Sequence, residues 1–299
     1  MLKIAFDPIY EHPLPEGHRF PMAKYGLLPK QLVYEGTAED ANFFIPAVAT
    51  EEDILRVHNK EYWRKLRQLG LSRSEERRSG FPLSAPLVQR EITIAGGTIQ
   101  NTEYAIKYGC SMNIAGGTHH AFADRAEGFC LLNDIAIAAA HAIHERGLKR
   151  ILVVDLDVHQ GNGTAAIFAN ENRVFTLSMH GANNYPLHKE ESDLDIPLPD
   201  HTGDEQYLDL LENHLRRTIR NFDPQFIYFQ SGVDVLESDK LGRLSLSIEG
   251  CRERDRIVFE FARKHEIPVA VSMGGGYSER LADIVNAHAN TYREALRNL

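Results

Sequence analysis

From Asn113 onward, short apolar runs alternate with segments of helical periodicity, and this alternation constrains the fold more than any other feature of the chain. The runs SMNIAGG, RILVVDLD, RVFTLSMH, PQFIYFQSG and PVAVSM read as strands. NDIAIAAAHAIHERG, the short GNGTAAIFAN, GDEQYLDLLENHLRRTIRNF and SIEGCRERDRIVFEFARKHE read as the helices between them, and YSERLADIVNAHANTYREALRNL as a closing helix. Strands that are apolar throughout, rather than at every second residue, are buried on both faces, as in a parallel sheet covered by crossover helices. The predicted fold is therefore α/β: a single domain over residues 1–299 with a mostly parallel central sheet and helices on both faces.

The first third is less regular. LKIAFD reads as a strand, and DPIYEHPLPEGHRFP, with Pro8, Pro13, Pro15 and Pro21, as an ordered loop. Thr50 is placed to cap a helix containing Ile54, Leu55 and Val57. Residues 72–82, SRSEERRSGFP, are polar and predict a mobile surface loop. APLVQREITIAGGTIQNTEYAIKYG predicts a long helix in spite of Gly96 and Gly97.

In an open parallel sheet, ligands bind beyond the carboxyl ends of the strands, so the residues at those ends carry the functional information. One strand runs into Thr118, His119 and His120; others into Ser178 and His180, into Asp234, and into Gly274, Gly275, Gly276 and Tyr277. The stretch RILVVDLDVHQGNG begins as a buried strand and then delivers Asp155, Asp157 and His159. Carboxylates are rarely buried unless they are paired or bind a metal. Asp157 and His159 are two residues apart, so on extended chain both face one way and can reach one ion, with Asp234 as the natural third ligand. The structural alternative is that Asp157 and His159 cap the next helix or pair with each other. A lone D-x-H favours that alternative, whereas three titratable groups within five residues favour the metal.

His119 and His120 suit general acid–base work better than ligation of one ion, because adjacent side chains diverge. Each needs a partner for its far nitrogen, and Asp155 and Asn162 are at hand. A hydrogen-bonded pair of loop histidines is the plain alternative. In MGGGY the glycines allow close approach of backbone to a ligand, which assigns Gly275 to the substrate side, and Tyr277 can donate its hydroxyl to a developing oxyanion. A tight turn with a packed tyrosine is the alternative there. Phe129 and Tyr185 lie on loops at the same edge and can wall an apolar slot. GNGTAA fits a dinucleotide fingerprint, yet the next strand ends in TLSMH with no acid at its tip, so the glycines are read as a tight strand-to-helix turn.

The charge balance narrows the partners. Lys plus Arg number 33 and Asp plus Glu 42, a formal charge of −9, which argues against direct nucleic-acid binding. Cys110, Cys130 and Cys251 form no C-x-x-C pair and predict a reducing, cytoplasmic setting. MLKIAFDPIY reaches Asp7 too soon for a signal peptide, and no apolar run approaches the roughly 18 residues of a membrane span, so no membrane partner is expected.

The motifs GGTHHA, GFCLLND, DLDVHQGNGT, SGVDVLESDKLGRLSLS and GGGY, in this order, resemble the zinc-dependent histone deacetylase family of the arginase/deacetylase superfamily. DVLESDKLGRLSLS and NNYP are most similar to its class IV branch. The resemblance, strongest from Ile94 to Ala282, implies an arginase-like fold and one Zn2+ held by Asp157, His159 and Asp234. It implies His120 as general base and His119 as its partner in protonation, with Asp155 supporting His119 and Asn162 standing where the supporter of His120 is expected. It further implies that Tyr277 polarises the acyl carbonyl and that Gly128, Phe129 and Tyr185 line the acyl-lysine channel. Asp155, Asp157, His159 and Ser178 match the positions around a structural K+, mostly through backbone oxygens.

Two departures qualify the expected substrate. Some relatives carry an acid before the long helix to grip the substrate backbone, and SGFPLSAP has none. The chain is also near the minimal domain, so no corepressor-binding extension is expected. The expected function is hydrolysis of an acyl-lysine side chain. Deacetylation of small amines such as acetylpolyamines is the first alternative, and an acidic gatekeeper at the mouth would favour it. A binuclear manganese ureohydrolase would need further carboxylates, and a non-catalytic acyl reader would lack a ligand or the tyrosine.

Overall fold

A computed structural model describes residues 1–298; Leu299, the last residue of the predicted closing helix, lies outside the described residues. Eight strands form one sheet: β1 (Lys3–Ala5), β2 (Phe43–Phe44), β3 (Cys110–Asn113), β4 (Ile151–Asp155), β5 (Val174–Gly181), β6 (Leu194–Leu198), β7 (Phe226–Gln230) and β8 (Val269–Ser272). Their order across the sheet is β2-β1-β3-β8-β7-β4-β5-β6, and every pairing is parallel. The sheet thus has one carboxyl edge, and all eight strand ends point to it. Each residue of β3, β4, β7 and β8 is buried, which is why these strands read as unbroken apolar runs.

The helices are α1 (Ala23–Tyr34), α2 (Glu51–Leu55), α3 (Lys60–Arg67), α4 (Arg73–Ser79), α5 (Ala85–Tyr108), α6 (Asp134–Glu145), α7 (Asn162–Phe168), α8 (Asp204–Phe222), α9 (Ile248–Lys264) and α10 (Leu281–Asn298). They cover both faces of the sheet. The long α5 lies along β1, β3 and β8 with α6 beside it, while α8, α9, α10 and α1 pack in a row. Gly96 does not break α5 because it serves a crossing: a Cβ there would lie 1.8 Å from the carbonyl oxygen of Ala47. No described helix is long and apolar enough to cross a membrane.

One segment departs from the sequence expectation, and two elements hold prolines that argue against them locally. Residues 72–82 hold helix α4, not a mobile loop: Ser72 and Glu75 form a reciprocal capping box, and Gly80 closes the helix at φ +81°. Phe81, inside the same stretch, is buried. Helix α1 carries Pro29 in its interior, a residue that argues against helix locally, but Tyr25, Leu28 and Leu32 are buried and the helix packs on α10. Strand β6 contains Pro197 and pairs only with β5, and an edge is where a strand tolerates proline.

Candidate active site

The loops leaving β3, β4, β7 and β8 meet at the carboxyl edge. Asp157 and His159 follow β4 and Asp234 follows β7, and one ligand atom from each lies within 4.8 Å of the other two. His159 Nδ1 is 3.0 Å from Asp157 Oδ1 and 3.1 Å from Asp234 Oδ2. The outward carboxylate oxygens are held by backbone: Gly275 N–H donates to Asp157 Oδ2 at 2.8 Å and Val158 N–H to Asp234 Oδ1 at 2.9 Å. Gly275 therefore lines the inner cleft and also orients a carboxylate; a Cβ on it would sit 2.0 Å from Asp234 Oδ2.

Burial, and then the charge of Asp157, holds the Asp234 carboxyl up at about 7. Burial alone would push His159 down, but its bonds to Asp157 and Asp234 raise it to about 10. Two buried carboxylates this close need a positive partner. Two oxygens and one imidazole nitrogen fit the three-ligand set of a catalytic divalent ion such as zinc. Among the described residues this is the single convergent cluster of ligating side chains. Asp155 and Ser178 are register partners on β4 and β5, and Ser178 Oγ lies 3.0 Å from His180 Nδ1. The K+ expectation rests on backbone oxygens there and gains no support from the side chains.

Beside the triad stand two braced histidines with rings 4.1 Å apart. His119 Nδ1–H donates to Asp155 Oδ2 at 2.7 Å, and His120 Nδ1–H to Asn162 Oδ1 at 2.6 Å. Burial opposes protonation of both. At His119 the carboxylates of Asp155 and Asp157 outweigh burial, and its pKa lies above the ordinary value. At His120 the charges on His119 and His159 add to burial, and its pKa falls well below. Two adjacent imidazoles biased in opposite directions can divide acid and base roles.

The other predicted residues wall the approach. Gly128 and Phe129 take φ of +54° and +67° in succession, and a Cβ on Gly128 would lie 2.6 Å from His120 Cδ2. The Phe129 ring lies 6.0 Å from that of Tyr277, and Tyr185 stands edge-on to His120 at 5.0 Å. Burial, then the charges of Asp234 and Asp157, raises the Tyr277 phenol well above its usual range, so it stays a neutral donor.

Four residues of the site were not legible beforehand. Glu127 accepts from the Tyr185 hydroxyl at 2.5 Å and from Asn162 Nδ2 at 3.2 Å; its place just before GFC was the available cue. Asp239 accepts the Tyr277 backbone N–H at 2.6 Å. Lys24, fully buried, donates to the Gly274 carbonyl at 3.1 Å, and burial lowers it to about 8 against the pull of Asp234 and Asp157. Arg254 of α9 lies beneath both ligand loops, donating to the carbonyls of Leu156, Ser231 and Gly232 and pairing with Asp255 at 2.7 Å.

Comparison with known proteins places this geometry. Residues 18–292 match the family described as Histone deacetylase domain. The chain is 41% identical over 293 residues to an uncharacterized protein of Picosynechococcus sp., covering 98% of this chain and 97% of that one. It is 32% identical to Histone deacetylase 2 of Arabidopsis thaliana, covering 90% and 72%. Among solved structures, an HDAC homolog complexed with SAHA superposes with a TM-score of 0.85 at 26% identity, covering 98% of this chain and 83% of that one.

Proposed function

Because the chain belongs to the histone deacetylase family, we propose that it is a zinc-dependent amidohydrolase that removes acyl groups from acyl-lysine side chains. One observation carries this reading: the Asp157–His159–Asp234 triad lies beside two histidines that are braced separately, by Asp155 and by Asn162. Zinc held by the triad would polarise an acyl carbonyl and acidify water.

The protein's own groups do the rest. His120 donates through Nδ1 to Asn162, which leaves Nε2 as an acceptor for the proton of the attacking water. Tyr277 donates its hydroxyl to the carbonyl oxygen as negative charge builds there. His119, whose proton Asp155 stabilises, supplies a proton to the departing amine. Phe129 and Tyr185 hold the methylene stem of the substrate and keep bulk water from the reacting atoms. Cys110, Cys130 and Cys251 are free and buried, which suits the reducing, cytoplasmic location we attach to this reading.

The single ligand cluster among the described residues counts against a binuclear ureohydrolase. Exposed arginines at the cleft mouth count against a polycationic acetylpolyamine. The test combines metal analysis with an assay of the purified protein on acetyl-lysine peptides without nicotinamide cofactor. One zinc per chain and inhibition by a metal-chelating hydroxamate are expected; dependence on NAD or two stoichiometric manganese ions overturns the reading.

A further inference from the structure

The outer cleft, about 420 Å³, opens between Phe129, Tyr185 and Tyr277, and its rim carries Arg19, Arg77 and Arg78. All three arginines are exposed, and no Asp or Glu lines this cleft. Among the described residues none of the three has a carboxylate within 4.0 Å; the charged pairs nearby engage other groups, Lys65 with Glu75 and Arg125 with Glu127. Three unpaired guanidinium groups at one opening are unexpected in a chain of formal charge −9. Basic residues in the last turn of α4 complement the helix dipole, which accounts for Arg77 and Arg78 but not for Arg19, which comes from the proline-rich loop.

The rim is also fixed in place. Gly128 N–H donates to the Arg78 carbonyl at 3.1 Å and Phe129 N–H to the Ser79 carbonyl at 2.7 Å, so the end of α4 is tied to the loop that forms the slot. His18 Nε2 lies 2.9 Å from the Gly80 carbonyl, tying the Arg19 loop to the same point, and the Arg19 guanidinium lies 4.9 Å over the Phe129 ring. The nearby carboxylate of Glu127 is taken up by Tyr185, Asn162 and Arg125.

We infer that this site selects acyl amines that carry a carboxylate at the far end of the amine's chain, the group that a free Nε-acyl-lysine or a C-terminal acyl-lysine presents. The inference rests on the deacylase reading above. With the acyl group at the triad and the lysine stem in the slot, the α-carbon lies at the mouth, and a carboxylate there meets guanidinium forks suited to two-point contact. An acyl-lysine within a basic segment brings cations to the same rim and is disfavoured.

The test compares kcat/KM for matched substrates at low salt: free Nε-acetyl-lysine against its α-amide, and a peptide ending in acetyl-lysine as acid against amide. The expected acid-over-amide preference is about tenfold, shrinking as salt rises. The first pair reads the free amino acid as the source of the carboxylate, and the second the peptide C-terminus. An Arg77→Gln, Arg78→Gln double variant, and separately Arg19→Gln, should bring the ratio toward one. Equal rates on acid and amide, or a preference unchanged in both variants, overturn this inference and leave the deacylase reading standing. Failure to hydrolyse any of the four overturns both.

Discussion

Asn162 accepts the Nδ1 proton of His120 at 2.6 Å, and the other end of the same amide donates to Glu127 at 3.2 Å. The second bond settles which way the amide faces, and the first then settles the imidazole tautomer. His120 is thereby supported by a neutral group, with Glu127 one hydrogen bond further along, whereas His119 leans directly on Asp155.

Asn162→Asp should move the acidic limb of kcat/KM to higher pH. In the proposed role of base, His120 must be unprotonated to accept a proton, and an adjacent carboxylate raises its pKa, by about one unit or more. The base then becomes competent only at higher pH. A pH–rate profile of both forms checks this, and a limb that stays put would mean another group sets it.

Asp234→Ala should lose both bound metal and activity. Two protein ligands rarely hold a catalytic zinc, and Val158 N–H would lose its acceptor as well. Elemental analysis of protein purified without added metal reads the outcome; full occupancy with Asp234 gone would remove it from the ligand set.

Tyr277→Phe should leave fold and zinc content intact and lower turnover by about 10²–10³, the usual cost of one oxyanion donor. KM should change little, because the bond strengthens only as charge develops. Near-normal turnover at full zinc occupancy would place the donor elsewhere.

His58 gives the fold an acid-sensitive element. Its Nδ1–H donates to the Phe122 carbonyl and its Nε2 accepts the Asn133 N–H, each at 3.0 Å, and burial lowers its pKa to about 4. The folded value lies below the unfolded one of about 6.5, so the unfolded chain takes up the proton first. Stability is then lost as pH falls from about 6.5 to about 4, by ~3 kcal/mol in all, with no contribution above that window. Denaturant titrations between pH 7 and 4 should show a flatter dependence for His58→Gln; an identical slope would assign the effect to another group.

The fold beyond Asn113 was legible because its strands are buried on both faces and its helices are long. The spacing of Asp157 and His159 brought two ligand candidates together, but that Asp234 converges with them depends on β7 lying next to β4. What escaped the sequence was set by context rather than composition. Pro29 and Pro197 argue locally against the elements that contain them, and packing against α10 or an edge position overrides the argument. Ser72 and Glu75 form their capping box inside a stretch polar enough to resemble a loop. The meeting of Arg19 with Arg77 and Arg78 has no local signal, since it is made by bonds from His18, Gly128 and Phe129 to the end of α4.

Arg254 makes the two ligand loops one mechanical unit. Leu156 precedes the first two ligands and Ser231 and Gly232 precede the third, and a single guanidinium fork holds all three carbonyls. The distance between Asp157 and Asp234 is therefore set from α9, the helix that follows the Asp234 loop in the chain. A substitution along α9 that tilts the helix, without touching the cleft, would be felt first as weakened grip on the metal proposed for the triad and only afterwards as lost stability.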